Sequence, residues 1–210
     1  MTTTDASGHW RRVWRTRDER EVSWFETDLA VSLALIEAAG PRPEDPVIDV
    51  GGGASRLVDR LLDRGFRDVT VLDVAAEALA RARARLGPRA AAVDWIVADI
   101  RRFRPARRWR LWHDRAVFHF LVEPEDREAY LAALRAGTGA GAWLVIATFA
   151  PDAPPRCSGL PVARYDADAL AAVFAPDFRP VQRMRQLHRT PAGEVRPFTW
   201  LRLQRVTPAP

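Results

Sequence analysis

The feature that most constrains the fold is a short apolar segment that ends in an acid and three glycines. Residues 47–53 read Val-Ile-Asp-Val-Gly-Gly-Gly, and a helical pattern follows them. Glycine has no Cβ atom, so the backbone of such a turn can approach a ligand closely. The next apolar run, residues 69–73, ends in a second acid, Asp73. Together these features predict a nucleoside cofactor at the carboxyl ends of a parallel sheet.

The glycine turn fits one kind of cofactor better than another. A dinucleotide fold needs a third glycine where this chain has Arg56, because helix and strand pack closely there. The run Asp49-x-Gly51-x-Gly53-x-Ser55 instead resembles the first motif of class I methyltransferases, which use S-adenosylmethionine (SAM). SAM has no pyrophosphate, and its ammonium and carboxylate suit an acid and free N–H groups. A plain tight loop is the alternative interpretation of the glycines.

Composition places the chain among ordinary globular proteins. It has 210 residues, 48% hydrophobic and 28% charged, which predicts one domain with a full core. The apolar runs are too short to span a bilayer, and the first residues lack the pattern of a signal peptide. The single cysteine, Cys157, excludes an intrachain disulfide. We therefore expect a cytoplasmic protein that does not bind membranes; no sequence feature indicates an oligomeric state.

All the basic side chains other than histidine are arginines, and the formal net charge is +5. The arginines are densest in residues 101–110, which is one pattern of a nucleic-acid footprint. Charge runs are weak motifs, and no aromatic RNA-binding signature accompanies this one. We expect a solvated loop here and no nucleic-acid partner.

Strand and helix patterns alternate through most of the chain. Two N-terminal helices are predicted over residues 9–18 and 27–39. Predicted strands and helices then follow one another: strands at 47–50, 69–73, 94–98, 110–114 and 142–149, and helices at 55–64, 76–86, 125–136 and 166–174. Segments 178–188 and 196–206 flank a turn and predict a terminal hairpin. Such alternation predicts an α/β fold with helices on both faces of the sheet.

The class I resemblance makes this architecture specific. It implies a doubly wound, Rossmann-like sheet of seven strands, mostly parallel with an antiparallel C-terminal strand. The single domain, 1–210, would comprise N-terminal cap helices in 1–45 and the core in 46–206. The cap helices are expected to cover the cofactor.

Three acids end three successive strands, and the resemblance implies a role for each. Asp49 would lie near the methionine end of SAM, and Asp73 would accept the ribose hydroxyls. A helix N-cap is the alternative role for Asp73. Asp99 would accept the adenine amino group. Two apolar neighbours would enclose the adenine ring, namely Val74 and Ile100.

Two subfamilies share further features with the chain. Asp114-Arg115-Ala116, Asp126-Arg127-x-x-Tyr130 and the Trp10–Trp14 pair resemble thiopurine and related thiol methyltransferases. That likeness implies that Trp10, Trp14 and Arg115 contribute to the SAM site; packing of an amphipathic helix is the alternative for the tryptophans. Ser23-Trp24-Phe25 and residues 65–69 resemble small lysine methyltransferases instead.

The acceptor is expected after the fourth strand. We predict His119 as a catalytic residue and His113 as a second candidate that could also line the cofactor; a structural hydrogen-bonding role is the alternative for each. The histidine spacing fits no zinc motif, so no metal is expected. Residues 150–161 are a candidate lid.

The function that these patterns favour is SAM-dependent methyl transfer by direct displacement. The preferred acceptor is a small-molecule nucleophile, with a thiol or another soft group as the leading type. Protein-lysine methylation is the alternative within enzymes. A non-catalytic SAM-binding or RNA-associated protein is the alternative from another class.

Overall fold

The computed structural model describes residues 6–206. Its main sheet has seven strands in the order β3-β2-β1-β4-β5-β9-β8. The strand bounds are β1 Val47–Val50, β2 Val69–Asp73, β3 Val93–Val97, β4 Trp109–Arg115, β5 Thr138–Phe149, β8 Phe178–Arg189 and β9 Val195–Arg205. Strands β1 to β5 pair in parallel, and β9 runs antiparallel to both β5 and β8. This confirms the predicted seven-stranded sheet.

Six α-helices surround the sheet. They are α1 Ala6–Thr16, α2 Ala30–Ala39, α3 Leu57–Asp63, α4 Ala76–Leu86, α5 Pro124–Gly137 and α6 Ala167–Phe174. Short 3-10 helices lie at Gly87–Ala92 and Phe118–Phe120. The predicted helix bounds agree with these to within a few residues. Gly40 ends α2 in the left-handed conformation.

The sheet is buried on both faces, as the apolar strand sequences require. Every residue of β1 and β2 is buried, which is typical of central parallel strands. One core cluster joins the sheet to apolar residues of α2, α3 and α4, and a second joins it to α5 and α6. A smaller cluster under α1 contains Trp14, Val22 and Ala78. Helix α1 is thus attached mainly to α4, beyond the edge of the two main cores.

The loop after β5 contains a small hairpin that the sequence did not predict. Strands β6 (Arg156–Cys157) and β7 (Leu160–Pro161) pair antiparallel, with Ser158 and Gly159 at the turn. Both turn residues have positive φ angles, 50° and 81°. Within residues 6–206, no helix combines the length and the apolar character needed to cross a bilayer.

Candidate active site

A cavity of about 580 Å³ lies at the carboxyl ends of the parallel strands. Open α/β sheets bind ligands at this end, next to the point where the strand order reverses between β1 and β4. Helix α1 and the β6–β7 hairpin contribute to its walls from either side. The size falls within the usual range for a small-molecule site.

The glycine turn forms the floor of this cleft. Gly51 lines the cavity, and its N–H donates to the Leu72 carbonyl at 2.6 Å. Gly53 has a φ angle of 48°, and a Cβ atom there would lie 2.9 Å from Oδ2 of Asp73. The turn therefore keeps backbone close to the second strand end, where a side chain would intrude. Ser55, the last residue of the predicted motif, accepts at Oγ a hydrogen bond from the N–H of Leu57, the first residue of α3.

Asp73 and Val74, which are predicted to contact the cofactor, both lie on the cleft wall. Oδ1 of Asp73 accepts the Ala75 N–H at 2.8 Å, so the acid also stabilises the turn before α4. Burial, together with the nearby Asp49 charge, raises the Asp73 pKa to about 7 despite hydrogen bonds from backbone N–H groups. The carboxyl can therefore satisfy the backbone and still present an oxygen to a ligand.

Asp99 and Ile100 line the same end of the cavity. Burial opposes ionisation of Asp99, but the Arg101 guanidinium outweighs burial and holds its pKa below the usual value. Arg101 donates to both oxygens of Asp99 and also to Asp126, at 3.2 Å. Arg101 was absent from the predicted site. Its position two residues after a strand-end acid was the available signal.

A group of four aromatic side chains contributes to the cleft wall. Trp10 and Trp14 of α1 line the cleft, and Trp24 and Phe120 join them. Trp24 meets both α1 tryptophans edge to face, with ring centroids 5.6 Å and 5.8 Å away, and Phe120 lies 5.0 Å from Trp10. Trp24 was not among the predicted site residues and belongs to the run that resembles small lysine methyltransferases. Its contacts place it on the cleft wall.

Arg115 lies at the end of β4, on the cleft wall. Its Nη1 donates to the Trp24 carbonyl at 2.8 Å, and Glu26 lies within ion-pair distance. The ion pair joins Nη2 to Oε2 of Glu26 at 3.1 Å, while the buried Nε has no hydrogen-bond partner. Burial lowers the pKa of Arg115, and the Glu26 charge opposes that shift. A buried guanidinium with an unused donor can receive an anionic ligand group.

The two predicted catalytic histidines do not lie on the cleft surface. His113 is buried between Asp49 and Ser32, and Asp49 is likewise behind the turn. His119 accepts the Phe149 N–H at Nδ1, 3.3 Å away, which leaves its proton on Nε2. Burial, aided by Arg115, lowers the His119 pKa to about 3. The geometry therefore gives no support to a base role at either residue.

Strand β5, the β6–β7 hairpin and β9 contribute a mostly apolar part of the cleft wall. Phe149, Phe198, Leu160 and Pro161 line it together with Cys157 and Arg196. Burial raises the pKa of the Cys157 thiol. The predicted lid segment thus supplies wall residues through its hairpin.

The arginine-rich segment after β3 is engaged by neighbouring acids. Arg107 forms ion pairs with Asp68 and Asp94, and Arg110 donates to the Gly141 carbonyl at 2.6 Å. The expected solvated loop thus has at least two arginines with partners in the fold, Arg107 and Arg110.

A family model described as a methyltransferase domain matches residues 47–144. The match runs from the first residue of β1 into β5 and contains the glycine turn, Asp73, Asp99 and Arg115. Residues 47–144 therefore match a methyltransferase domain, and the seven-stranded sheet has the α/β methyltransferase fold. The α1 tryptophans and the β6–β7 hairpin lie outside the matched segment. The chain matches none of the curated proteins.

Solved structures share the fold of this chain along nearly its whole length. One, concerned with conversion of a disulfide bond into a thioacetal group during echinomycin biosynthesis, has a TM-score of 0.75 at 20% identity, covering 97% of this chain and 93% of that one. A SAM-dependent methyltransferase from Anabaena variabilis has a TM-score of 0.73 at 18% identity, covering 97% and 96%.

A third is the 1,6-didemethyltoxoflavin-N1-methyltransferase from Burkholderia thailandensis, with bound 1,6-didemethyltoxoflavin and S-adenosylhomocysteine. Its TM-score is 0.68 at 21% identity, covering 97% of this chain and 85% of that one. Sequence identities this low establish the shared fold and carry no information on the methyl acceptor of this chain.

Proposed function

We propose that SAM binds along the cleft with its adenosine at Asp73 and Asp99 and its methionine end at the glycine turn. Val74 and Ile100 would enclose the adenine, and the Asp73 carboxylate would accept the ribose hydroxyls. The observation that carries this placement is Arg115, a buried guanidinium on the cleft wall whose Nε has no hydrogen-bond partner and whose Nη2 pairs with Glu26. The carboxylate of SAM would pair with this guanidinium.

The charges on the cleft walls support this orientation. The acidic lining residues belong to the segments after β2 and β3 and to the start of α5: Asp73, Asp99, Glu123, Glu125 and Asp126. SAM is a sulfonium cation, and such a wall attracts cations. The bound cofactor supplies an electrophilic methyl group.

The mostly apolar part of the cleft wall favours a small, soft acceptor. The lining residues contributed by β5, the hairpin and β9 include no imidazole and no carboxylate: Phe149, Cys157, Leu160, Pro161, Arg196 and Phe198. The Cys157 thiol, with its raised pKa, is a poor base at neutral pH. A reaction without a dedicated base needs a nucleophile that is already reactive near pH 7, such as a thiol or an aromatic nitrogen.

The contribution of the protein is then positioning and exclusion of water. The aromatic walls hold a flat or apolar acceptor in line with the methyl carbon, which can supply roughly 7–11 kcal/mol of the barrier. Two neighbours of the same fold concern related chemistry: one involves a disulfide and a thioacetal, and the other binds a small heterocycle. Both favour a small-molecule acceptor over a protein.

Calorimetric titration with SAM and S-adenosylhomocysteine tests the cofactor placement. We expect binding by the wild type and a loss of at least tenfold in affinity for Asp73→Ala. Unchanged tight binding by Asp73→Ala would overturn the ribose assignment.

Transfer of a radiolabelled methyl group tests the acceptor. The protein is incubated with labelled SAM and either a panel of thiols and heteroaromatic amines or lysate proteins depleted of small molecules. We expect label in small-molecule products. Label confined to a protein band would favour lysine methylation, and tight SAM binding without any transfer would favour the non-catalytic alternative.

A further inference from the structure

Three buried side chains form a continuous hydrogen-bonded row behind the glycine turn. Nδ1 of His113 lies 2.7 Å from Oδ1 of Asp49, and Nε2 lies 3.1 Å from Oγ of Ser32. Their exposed fractions are 2%, 3% and 0%. Since a carboxylate only accepts, Nδ1 carries a proton and donates to Asp49, and Nε2 shares the second hydrogen bond with the Ser32 hydroxyl. The row joins α2 to β4 and β1.

This order of groups is the one that activates a serine nucleophile in acyl transfer. Here the serine is fully buried, and none of the three residues lines the cleft. No acyl substrate could reach the Ser32 oxygen. The arrangement must therefore act within the protein, on the segment that Asp49 contacts.

Asp49 immediately precedes the turn and packs against it. A Cβ atom at Gly52 would lie 2.5 Å from Oδ2 of Asp49 and 2.9 Å from its Cγ. The carboxylate is thus in close contact with the turn through one oxygen and is held by His113 through the other. Rotation of this carboxylate would push on the turn, whose Gly51 lines the cleft.

We infer that His113 and Ser32 are positioning residues that fix the Asp49 carboxylate and thereby the glycine turn at the methionine end of the cofactor. The inference rests on the proposed function, because it assigns the turn to that end of SAM. It also gives α2, none of whose residues lines the cleft, a part in cofactor affinity. Asp73 and Asp99, which serve the adenosine end, have no hydrogen bond to this row.

Binding of S-adenosylhomocysteine and of adenosine to the full chain separates a positioning role from a general loss of structure. His113→Leu removes both contacts, and we expect its affinity for S-adenosylhomocysteine to fall roughly tenfold, as for loss of a hydrogen bond to a charged group. Its affinity for adenosine should stay within about twofold, because adenosine lacks the methionine end. An unchanged affinity for S-adenosylhomocysteine, or an equal loss for both ligands, would overturn the inference.

His113→Asn is the rescue variant, since its amide nitrogen can replace Nδ1 beside Asp49. It should recover most of the affinity. Thr70→Val is a matched control: it removes a buried hydrogen bond, from Trp109 at 3.0 Å, away from the turn. It should lower the melting temperature without changing the ratio of the two affinities.

Ser32→Ala keeps the test decisive if His113→Leu does not fold. It removes only the contact between Ser32 and His113, and we expect the affinity for S-adenosylhomocysteine to fall roughly threefold while the affinity for adenosine stays the same. An unchanged affinity of Ser32→Ala for S-adenosylhomocysteine would contradict the positioning role of Ser32. If the wild type binds neither SAM nor S-adenosylhomocysteine, the proposed function fails instead.

Discussion

Gly51 and Val117 approach so closely that no side chain fits between them. A Cβ atom at Gly51 would lie 2.0 Å from Cγ2 of Val117, and Gly51 has a φ angle of 69°. The turn after β1 is therefore packed directly against the segment after β4. Both residues line the cleft, so the contact sets the shape of its floor.

Gly51→Ala should damage both stability and SAM binding. The left-handed conformation costs about 1–2 kcal/mol for alanine, and the steric overlap adds about 1–3 kcal/mol. We expect a loss of at least tenfold in SAM affinity, measured by calorimetry on the folded fraction.

Gly40→Ala is the matched control for that variant. Gly40 has nearly the same φ angle, 67°, with nothing within 4 Å of its Cβ position. It should lose only the backbone contribution of about 1–2 kcal/mol and bind SAM normally. Equal SAM affinities in the two variants would show that the Val117 contact is unimportant.

Asp73 should make the stability of the ligand-free protein depend on pH. Burial, as the largest cause, raises its pKa from 3.8 to about 7, so the folded state binds a proton that the unfolded state releases. Its contribution is therefore fully present below pH 3.8 and is lost as the pH rises towards 7. The melting temperature of Asp73→Asn relative to wild type should increase between pH 5 and pH 8.

Asp99→Asn provides the contrast. The pKa of Asp99 is lowered, because the Arg101 contacts outweigh burial. Its contribution is complete above pH 3.8, so the difference from wild type should stay flat between pH 5 and pH 8. Parallel pH profiles for the Asp73 and Asp99 variants would contradict the assignment of a raised pKa to Asp73.

Arg101 should affect the adenosine end alone. It holds both oxygens of Asp99 and reaches Asp126, so Arg101→Met frees the acid that is proposed to bind the adenine amino group. We expect adenosine and SAM to lose affinity together, by roughly threefold to tenfold. Arg102→Met, an exposed neighbour, should change neither. A lower affinity for SAM together with an unchanged affinity for adenosine would contradict a role of Arg101 at the adenosine end.

Arg81 should control how long the cofactor stays bound. Its guanidinium donates to the carbonyls of Trp14 and Arg17 at the end of α1, at 2.5 Å and 2.7 Å. Arg81→Met would loosen the helix that carries Trp10 and Trp14. We expect the dissociation rate of SAM to rise roughly threefold to tenfold with little change in association.

Stopped-flow tryptophan fluorescence measures both rates, since three tryptophans line the cleft. Arg83→Met on the same helix is the control and should match the wild type. A dissociation rate that is the same in both variants would mean that α1 does not limit cofactor release.

The strand and helix order could be read from the sequence because each element carries its own signal. Buried parallel strands are short apolar runs. The glycine turn marks the end of β1 and Gly40 marks the end of α2, because glycine adopts backbone conformations that other residues avoid. The end of a parallel strand also limits where the side chains at that end can lie, and Asp73, Val74, Asp99 and Ile100 line the cleft. These are local properties of the chain.

The histidines, Arg101 and the hairpin walls depended on contacts between distant segments. His113 is buried because Ser32 of α2 lies across from it, 81 positions earlier in the chain. His119 is unsuited to act as a base because its lone pair meets the Phe149 N–H inside an apolar shell. Burial and partner choice decide the chemistry of a titratable group, and both arise only when the chain packs. The sequence by itself determined the order of strands and helices; the tertiary structure decided which titratable side chains line the cleft and which are buried behind it.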